Sequence, residues 1–339
     1  MFGIALENIR TGFYGSGESG EDAQDCAIPA AWLWTAIGIS ILTIAALLLE
    51  TGLHIALNGA SVGFCVAIAG LALVGFQGRG TNRPAAIRHY AQDVLAFMVM
   101  GLTGAVGSYA VAALTHGWTD HAMVRLDAAM GFDWRDVYAL TAAHPALQTA
   151  GRIAYASIYA SPAILLLAFA RAGQRMEARF FLASFWVAAV LTMIFFLFLP
   201  TLGPLAYMWR EPISYMPMSA LYQAEIIPLL RDHQIQLVDL GSLRGLVGAP
   251  SFHAACATLY LLAARNAGAV RTPVTLLNVA MLFSMPVEGT HYATDIVAGM
   301  AMALTAHALM TLLVRMRRSE PLIAVDPTPY AVATGTPAA

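Results

Sequence analysis

The chain has 339 residues, of which 59% are hydrophobic and 11% charged, against roughly a quarter charged in an ordinary soluble domain. So few charges cannot cover a water-facing surface of this size, and a soluble globule is excluded. The formal net charge is -2, every basic residue is Arg, and no block of like charge could follow a nucleic-acid backbone, so nucleic acid is not expected as a partner.

The first 26 residues hold Glu7, Glu18, Glu21, Asp22 and Asp25 against Arg10. That is the wrong charge for the n-region of a signal peptide, and the segment reads as a solvated cytoplasmic tail. Apolar blocks then run over 27–49, 52–77, 92–114, 149–170, 178–199, 251–269, 272–288 and 291–314. Blocks of about twenty residues cross a hydrocarbon core about 30 Å thick. They predict an all-α polytopic membrane helical bundle of about eight transmembrane helices, with two extra N-terminal spans over 27–90 ahead of a core over 91–316. Residues 317–339, rich in Pro, Thr and Ala, are expected to form a disordered tail. Cys26, Cys65 and Cys256 are too few and too scattered for a disulfide framework or a zinc site, and the last two read as small core residues. Gly59 and Gly63 predict close helix packing.

With eight spans, Arg10, Arg79, Arg83, Arg88, Arg171, Arg175, Arg179, Arg265, Arg271, Arg315, Arg317 and Arg318 fall on one side. Arg125, Arg135, Arg152, Arg210, Arg231 and Arg244 fall on the other, spread over two longer loops. The positive-inside rule makes the dense side cytoplasmic, with both termini, and turns loops 115–148 and 200–250 outward. Within the first loop, residues 120–140 place apolar residues at mixed three and four spacing between charges. That pattern fits an interfacial helix shaping a lipid-facing entrance, or equally a plain amphipathic connector.

Ionisable groups at the edge of a span are costly and therefore functional candidates. In GLVGAPSFHAAC, Pro250 fits the first turn of a helix, followed by Ser251 and His253. Free amides and the positive end of the dipole there could seat a phosphate beside the hydroxyl and the imidazole. In SMPVEGTHYATDIVAG, His291 and Asp295 stand four residues apart, which predicts one shared helix face. A carboxylate so placed fixes the imidazole tautomer and frees the other ring nitrogen for nucleophilic or base chemistry. Two satisfied helix-end histidines remain the alternative. The same HxxxD spacing recurs at His89/Asp93, on the cytoplasmic face, and at His116/Asp120, across Gly117 and Trp118 in a loop. Both read as unrelated to the site. His54 and His307 sit alone in apolar segments and read as packed, and Glu288, three residues before His291, reads as a surface turn residue, with orientation of an acceptor hydroxyl as the alternative.

Pro250-Ser251-Phe252-His253, together with Ser284-Met285, five residues, His291, three residues and Asp295, resemble the second and third signatures, PSGH and SRxxxxxHxxxD, of the type-2 phosphatidate phosphatase superfamily. The resemblance covers roughly 200–305 and implies a six-helix phosphatase-like core. It also implies that His291 attacks phosphorus to form a phospho-histidine, with Asp295 orienting it. His253 would protonate the leaving alcohol and deprotonate the incoming one. Ser251, its neighbouring amides and one or more Arg would hold the nonbridging oxygens, without a metal or other cofactor.

Three departures stand out. Met285 occupies the place of a phosphate-binding Arg, Phe252 that of the PSGH glycine, and no KxxxxxxRP signature precedes on the outer side, Arg83-Pro84 being on the wrong face. Arg244 and Arg210 are the best placed substitutes, each equally readable as a headgroup anchor or a loop salt-bridge partner. The pattern GxHYxxDxxAG and the preceding LPTLGP look more like the inositol-phosphorylceramide and sphingomyelin synthase branch, which transfers phospho-headgroups between lipids. The expectation is an integral membrane enzyme acting on the outer face, passing a phospho-headgroup such as phosphoinositol to a lipid alcohol. A phosphatidate or polyprenyl pyrophosphate phosphatase with water as acceptor is the alternative. A non-enzymatic lipid transporter is a further one, although no clear internal repeat supports it. Membrane lipids are the expected partners, with oligomeric state left open.

Overall fold

A computed structural model describes residues 27–77 and 84–319; the acidic N-terminal segment, Arg10, Cys26, Arg79, Arg83 and the Pro-rich tail after 319 lie outside the described residues. The elements in chain order are α1 (Ala30–Thr51), β1 (His54–Ile55), α2 (Gly59–Gly75), α3 (Ala85–Leu114), α4 (Asp120–Ala129), α5 (Trp134–Ala143), α6 (Pro145–Ala156) and α7 (Ala160–Arg171). There follow α8 (Arg175–Phe198), α9 (Pro204–Met208), α10 (Tyr222–Arg231), β2 (Leu237–Val238), α11 (Phe252–Ala264), α12 (Arg271–Glu288) and α13 (Ala293–Ser319). The protein is an all-α polytopic helical bundle, and the two-residue strands β1 and β2, paired in parallel, form the one sheet among the described residues.

Local sequence explains the breaks. Gly52, at φ 69°, ends α1 in the left-handed conformation and returns its amide to Leu48 and Leu49 carbonyls. Asn58 then caps α2, its side chain accepting from the amides of Ala60 and Ser61. Pro145 opens α6. Helices α6 and α7 meet at 47° across residues 157–159.

Five helices, α1, α3, α8, α12 and α13, are long and apolar enough to cross a membrane, and α6 with α7 makes a sixth candidate as one bent span. Helices α2 and α11 are apolar but shorter; the 13 residues of α11 span about 20 Å at 1.5 Å per residue. Length thus supports five or six spans, where the apolar blocks predict eight. The second block in particular is not one helix: its first residues form β1, where His54 is exposed rather than packed.

The core runs between α3, α7, α8, α11, α12 and α13 around Phe169, Phe181, Phe185 and Tyr260. Polar ties cross it where helices meet: Trp186 Nε1 donates to Ser40 Oγ at 2.9 Å and Asn278 Nδ2 to Ser161 Oγ at 2.9 Å. Leu42, Leu73, Phe198 and Phe283 lie on the outer surface of the bundle, as helices facing hydrocarbon require. Cys65 also lies on that surface while Cys256 is buried. No side chain packs where a Cβ on Gly59 or Gly63 would stand; close approaches are instead at Gly75, against Gln92, and at Gly107, against Ile44.

The two ends of the bundle differ. At one, Arg175 donates to Gln92, Asn266 to Glu177, and Arg179 to the Ile28 carbonyl. At the other, the segments 115–148 and 200–250 converge on the ends of α11, α12 and α13. Thr119 donates to the Pro200 carbonyl, and Trp134 Nε1 to that of Pro286.

Candidate active site

Helix α11 begins at Phe252, with Ser251 as its N-cap: Ser251 Oγ accepts from the Ala254 amide at 3.3 Å and its carbonyl from Ala255 at 3.1 Å. Pro250 therefore lies outside the helix rather than in its first turn. The first-turn amides of Phe252 and His253 have no acceptor among the described residues, which is the usual state of a helix start before an anion binds. His253 stacks on Tyr155 of α6, ring centroids 4.2 Å apart and planes 11° from parallel, with Tyr155 Oη 3.3 Å from Nδ1.

His291 does not share a helix with Asp295. Helix α12 ends at Glu288, and Thr290 turns the chain at φ 49°. His291 and Tyr292 then precede α13, whose first turn holds Asp295. Nδ1 of His291 lies 3.2 Å from Asp295 Oδ1, with both residues buried. The two atoms are close but not aligned as a formed hydrogen bond. Asp295 Oδ2 instead accepts from the Tyr292 amide at 3.0 Å, so the carboxylate caps its own helix with one oxygen and faces the imidazole with the other. Gly289 makes room for the ring: a Cβ there would stand 2.4 Å from His291 Cδ2 and 2.9 Å from the Met285 carbonyl.

The two signature segments touch through backbone. The Ser251 amide donates to the Asp295 carbonyl at 3.0 Å. Gly299, one turn along α13, lets the chains approach, since a Cβ there would meet the Ser251 carbonyl at 2.1 Å. Ser251, His253, His291 and Asp295 are thus gathered at one end of the bundle, and the two imidazoles lie within electrostatic reach of each other.

The segment 120–140 forms two helices rather than one, and two of its carboxylates turn inward. Asp127 accepts from the amides of Ala293 and Thr294, at 3.0 and 2.8 Å, and from the Thr294 hydroxyl at 2.6 Å. Asp120 accepts from the amides of Leu202 and Gly203 and from Tyr292 Oη at 2.8 Å. Burial pushes the Asp120 carboxyl above its usual range, while those amides and the Tyr292 hydroxyl act in the opposite direction. The residues after His291 are therefore held by carboxylates from a helix more than 160 residues earlier in the chain. Sequence reading missed this role; the signal was the i, i+7 spacing of the two Asp on α4, which places both on one side.

Glu288 is fully buried, not a surface turn residue. Oε1 accepts from Tyr215 Oη at 2.5 Å and Oε2 from the Met218 amide at 3.2 Å, while its carbonyl accepts from Ser219. Burial and the Glu288 carboxylate push the Tyr215 phenol up to about 12. Arg152 donates from Nε to Tyr215 Oη and from Nη2 to the Met216 carbonyl, both at 2.8 Å. This network ties the loop over 215–219 to the end of α12.

Met285 is fully buried in the apolar core. Arg244 is exposed, its amide donating to Tyr109 Oη at 2.9 Å and its guanidinium over the Tyr222 ring. Arg210 is exposed and, among the described residues, reaches only the Ala206 and Trp209 carbonyls. Among the described residues neither guanidinium contacts His253 or His291. Of the other candidates, His307 packs edge-on against Phe180. Among the described residues no three His, Cys, Asp or Glu side chains gather as metal ligands.

The arrangement offers an imidazole with a carboxylate behind it and, within electrostatic reach, a second imidazole in the first turn of a helix. A family model described as the PAP2 superfamily matches residues 121–309, more than half of the chain. No curated protein and no solved structure matches.

Proposed function

The chain belongs to the PAP2 superfamily, an integral membrane protein of phosphatase type, and on that premise we propose that it cleaves a lipid phosphoester through a phospho-histidine on His291 and passes the phospho-headgroup to a lipid alcohol. The observation that carries this reading is the buried His291–Asp295 pair, tied to Ser251 of the other signature by the 3.0 Å backbone bond.

Because Nδ1 of His291 faces Asp295, Nε2 is the nitrogen left to attack. In the first step the Nε2–P bond forms and the bond from phosphorus to the leaving alcohol breaks, with His253 giving that oxygen a proton. In the second, His253 takes the proton of the incoming alcohol, the new O–P bond forms and the N–P bond breaks. Ser251 Oγ–H and the amides of Phe252 and His253 hold nonbridging oxygens, a contribution of roughly 3 to 4 kcal/mol per donor in comparable sites. Arg244 and Arg210 are the proposed cations, in place of the one Met285 cannot supply.

The enclosure of the site favours a lipid alcohol over water as acceptor: His291 and Asp295 are 3% and 1% exposed, and closing out water protects a reactive intermediate from hydrolysis. The side carrying loops 115–148 and 200–250 is proposed as extracytoplasmic, because the denser set of Arg lies at the other end.

The test is mass spectrometry of protein reconstituted with phosphatidate, polyprenyl pyrophosphate and phosphatidylinositol, with ceramide and diacylglycerol as acceptors. A new phospholipid lost in His291→Ala is the expected outcome. Free phosphate or a free phospho-headgroup in its place would make water the acceptor, and turnover unchanged in His291→Ala would sink the phospho-histidine.

A further inference from the structure

Helices α1 and α2 precede the residues that the family model matches, yet the turn between them grips the outer loop that carries Arg244. The His54 amide donates to the Gln236 carbonyl at 2.8 Å, and the Ala56 amide to that of Val238 at 3.0 Å. Val238 and Leu246 are fully buried, whereas no residue from 239 to 245 is. Polar ties therefore hold much of the stretch around Arg244, and they converge on Asp239.

Asp239 Oδ1 accepts from the Gly241 amide at 2.9 Å and Oδ2 from Ser242 Oγ at 3.1 Å, which shapes the 3-10 turn Leu240–Ser242. Oδ1 also accepts from Asn58 Nδ2 at 2.7 Å. These donors, Asn58 foremost, hold the Asp239 carboxyl below its usual range. Asn58 cannot turn its amide round, because its Oδ1 already caps α2 at the Ala60 and Ser61 amides, 3.0 and 3.2 Å away. Its Nδ2 must then meet an acceptor across the gap. Packing is close as well: a Cβ on Gly241 would stand 2.9 Å from Ala60 Cβ. Two residues past Ser242, Arg244 gives its amide to Tyr109 Oη at 2.9 Å and rests its guanidinium over Tyr222, 4.7 Å from the ring centroid.

We propose that Asn58 and Asp239 are positioning residues for Arg244: through the turn 240–242, the N-terminal hairpin sets where the guanidinium stands relative to a phosphate at the start of α11. This rests on the phosphate-binding role of Arg244 proposed above. A guanidinium engages two phosphate oxygens only when its plane is correctly placed. Tyr109 fixes one backbone amide and Tyr222 one face of the side chain; the direction from which the chain enters that amide is set by Asp239.

The experiment breaks the clamp without uncapping α2. Asn58→Asp keeps the cap, since Asp serves there as well as Asn, but sets a second carboxylate against that of Asp239, and like charges repel. Asn58→Asp/Asp239→Asn exchanges the partners, so that an amide again faces a carboxylate across the gap while an oxygen still accepts from Gly241. Both are assayed on the phospholipid turned over in the reconstituted system, on matched amounts of folded protein, with Arg244 present and with Arg244→Ala. With Arg244 present, Asn58→Asp is expected to lower kcat/KM by about 3- to 10-fold, part of the roughly 10- to 100-fold that one charge-assisted hydrogen bond supplies. The exchanged pair should return it to within about twofold of wild type, and in the Arg244→Ala background Asn58→Asp should cost nothing further, because residues acting through one contact are not additive.

An equal fractional loss in both backgrounds would make the clamp a general support of the fold. No loss with Arg244 present would mean that Arg244 is placed without it, and an exchanged pair no better than Asn58→Asp would mean that the contact is not what matters. Each of these overturns the role of Asn58 and Asp239 while Arg244→Ala alone still loses kcat/KM. Full kcat/KM in Arg244→Ala would instead remove the phosphate-binding role of Arg244 itself, and with it the role given to the clamp.

Discussion

The chain contains two nearly identical pentapeptides, His89-Tyr90-Ala91-Gln92-Asp93 and His291-Tyr292-Ala293-Thr294-Asp295, at opposite ends of the bundle. The first lies wholly inside α3, in a continuous helix. There Asp93 has Arg175 and Arg179 close enough to act on its charge, and Gln92 bridges the Gly75 carbonyl to Arg175. The second straddles a helix start. Because His291 precedes α13, its ring folds back toward Asp295, while Tyr292 and the two residues after it give their backbone amides to Asp295 and Asp127. The difference teaches that the same five-letter pattern latches helices where Arg side chains surround it, and turns its histidine back against its carboxylate, as the proposed nucleophile requires, where the helix is interrupted and, among the described residues, no Arg contacts it.

The largest effect should come from breaking the second copy and sparing the first. His291→Ala removes the proposed nucleophile and is expected to cost on the order of 10⁵-fold in turnover, as loss of a covalent nucleophile does elsewhere. Asp295→Asn, which keeps shape and loses the charge facing the imidazole, is expected to cost about 10³- to 10⁴-fold by analogy with the carboxylate behind a catalytic histidine. Asp93→Asn at the opposite end should leave turnover within about threefold and register in thermal stability only. Turnover assays on matched amounts of folded protein decide among these, and a loss in Asp93→Asn as deep as in Asp295→Asn would erase the distinction between the two ends.

Smaller effects sharpen the contrast through the scaffold. Gly289→Ala drives a Cβ into His291 Cδ2 and the Met285 carbonyl, and displacing a reacting group by about 1 Å costs on the order of 10²-fold. Asp127→Ala strips a buried acceptor from two amides and a hydroxyl; each buried donor left unpaired costs about 1–3 kcal/mol. Thermal unfolding of the purified protein should show that variant as less stable. Its turnover should fall too, because the amides that Asp127 holds are those of the residues just past His291.

Much of this was legible. Composition excludes a soluble globule, and the apolar blocks locate every long helix. The two signatures identify Ser251, His253, His291 and Asp295, which the structure gathers. What periodicity could not report was where helices stop. An i, i+4 pair inside a helix and one across a helix start have the same spacing, so the break at Gly289–Tyr292 was invisible. Nor could local pattern show which charges turn inward: Asp120, Asp127 and Glu288 sit in segments that look amphipathic or turn-like, and each is buried only because amides or hydroxyls far along the chain meet it. The contact between Tyr155 and His253 was hidden for the same reason, since the two lie almost a hundred residues apart.

Among the described residues no Arg contacts the second pentapeptide, which raises the question of what balances a bound phosphate, and two arginines divide the answer. Arg244 is seven residues before Ser251, with its backbone fixed by Tyr109 and its guanidinium resting on Tyr222. Among the described residues Arg210 has only carbonyls of its own segment as partners. If Arg244 reaches the phosphoryl group, Arg244→Ala should lower kcat/KM by about 10- to 100-fold, the range of one charge-assisted hydrogen bond worth about 1.5–3 kcal/mol. Arg244→Lys should restore only part of it, because a guanidinium can engage two phosphate oxygens at once and an ammonium acts as a point charge. Arg210→Ala, with a side chain that rests on no aromatic ring among the described residues, should cost less, about threefold. If both alanine variants retain full kcat/KM, the negative charge is met by the helix start alone, and the contrast with the Arg-rich end becomes complete: one copy of the motif balanced by side-chain cations, the other by backbone amides.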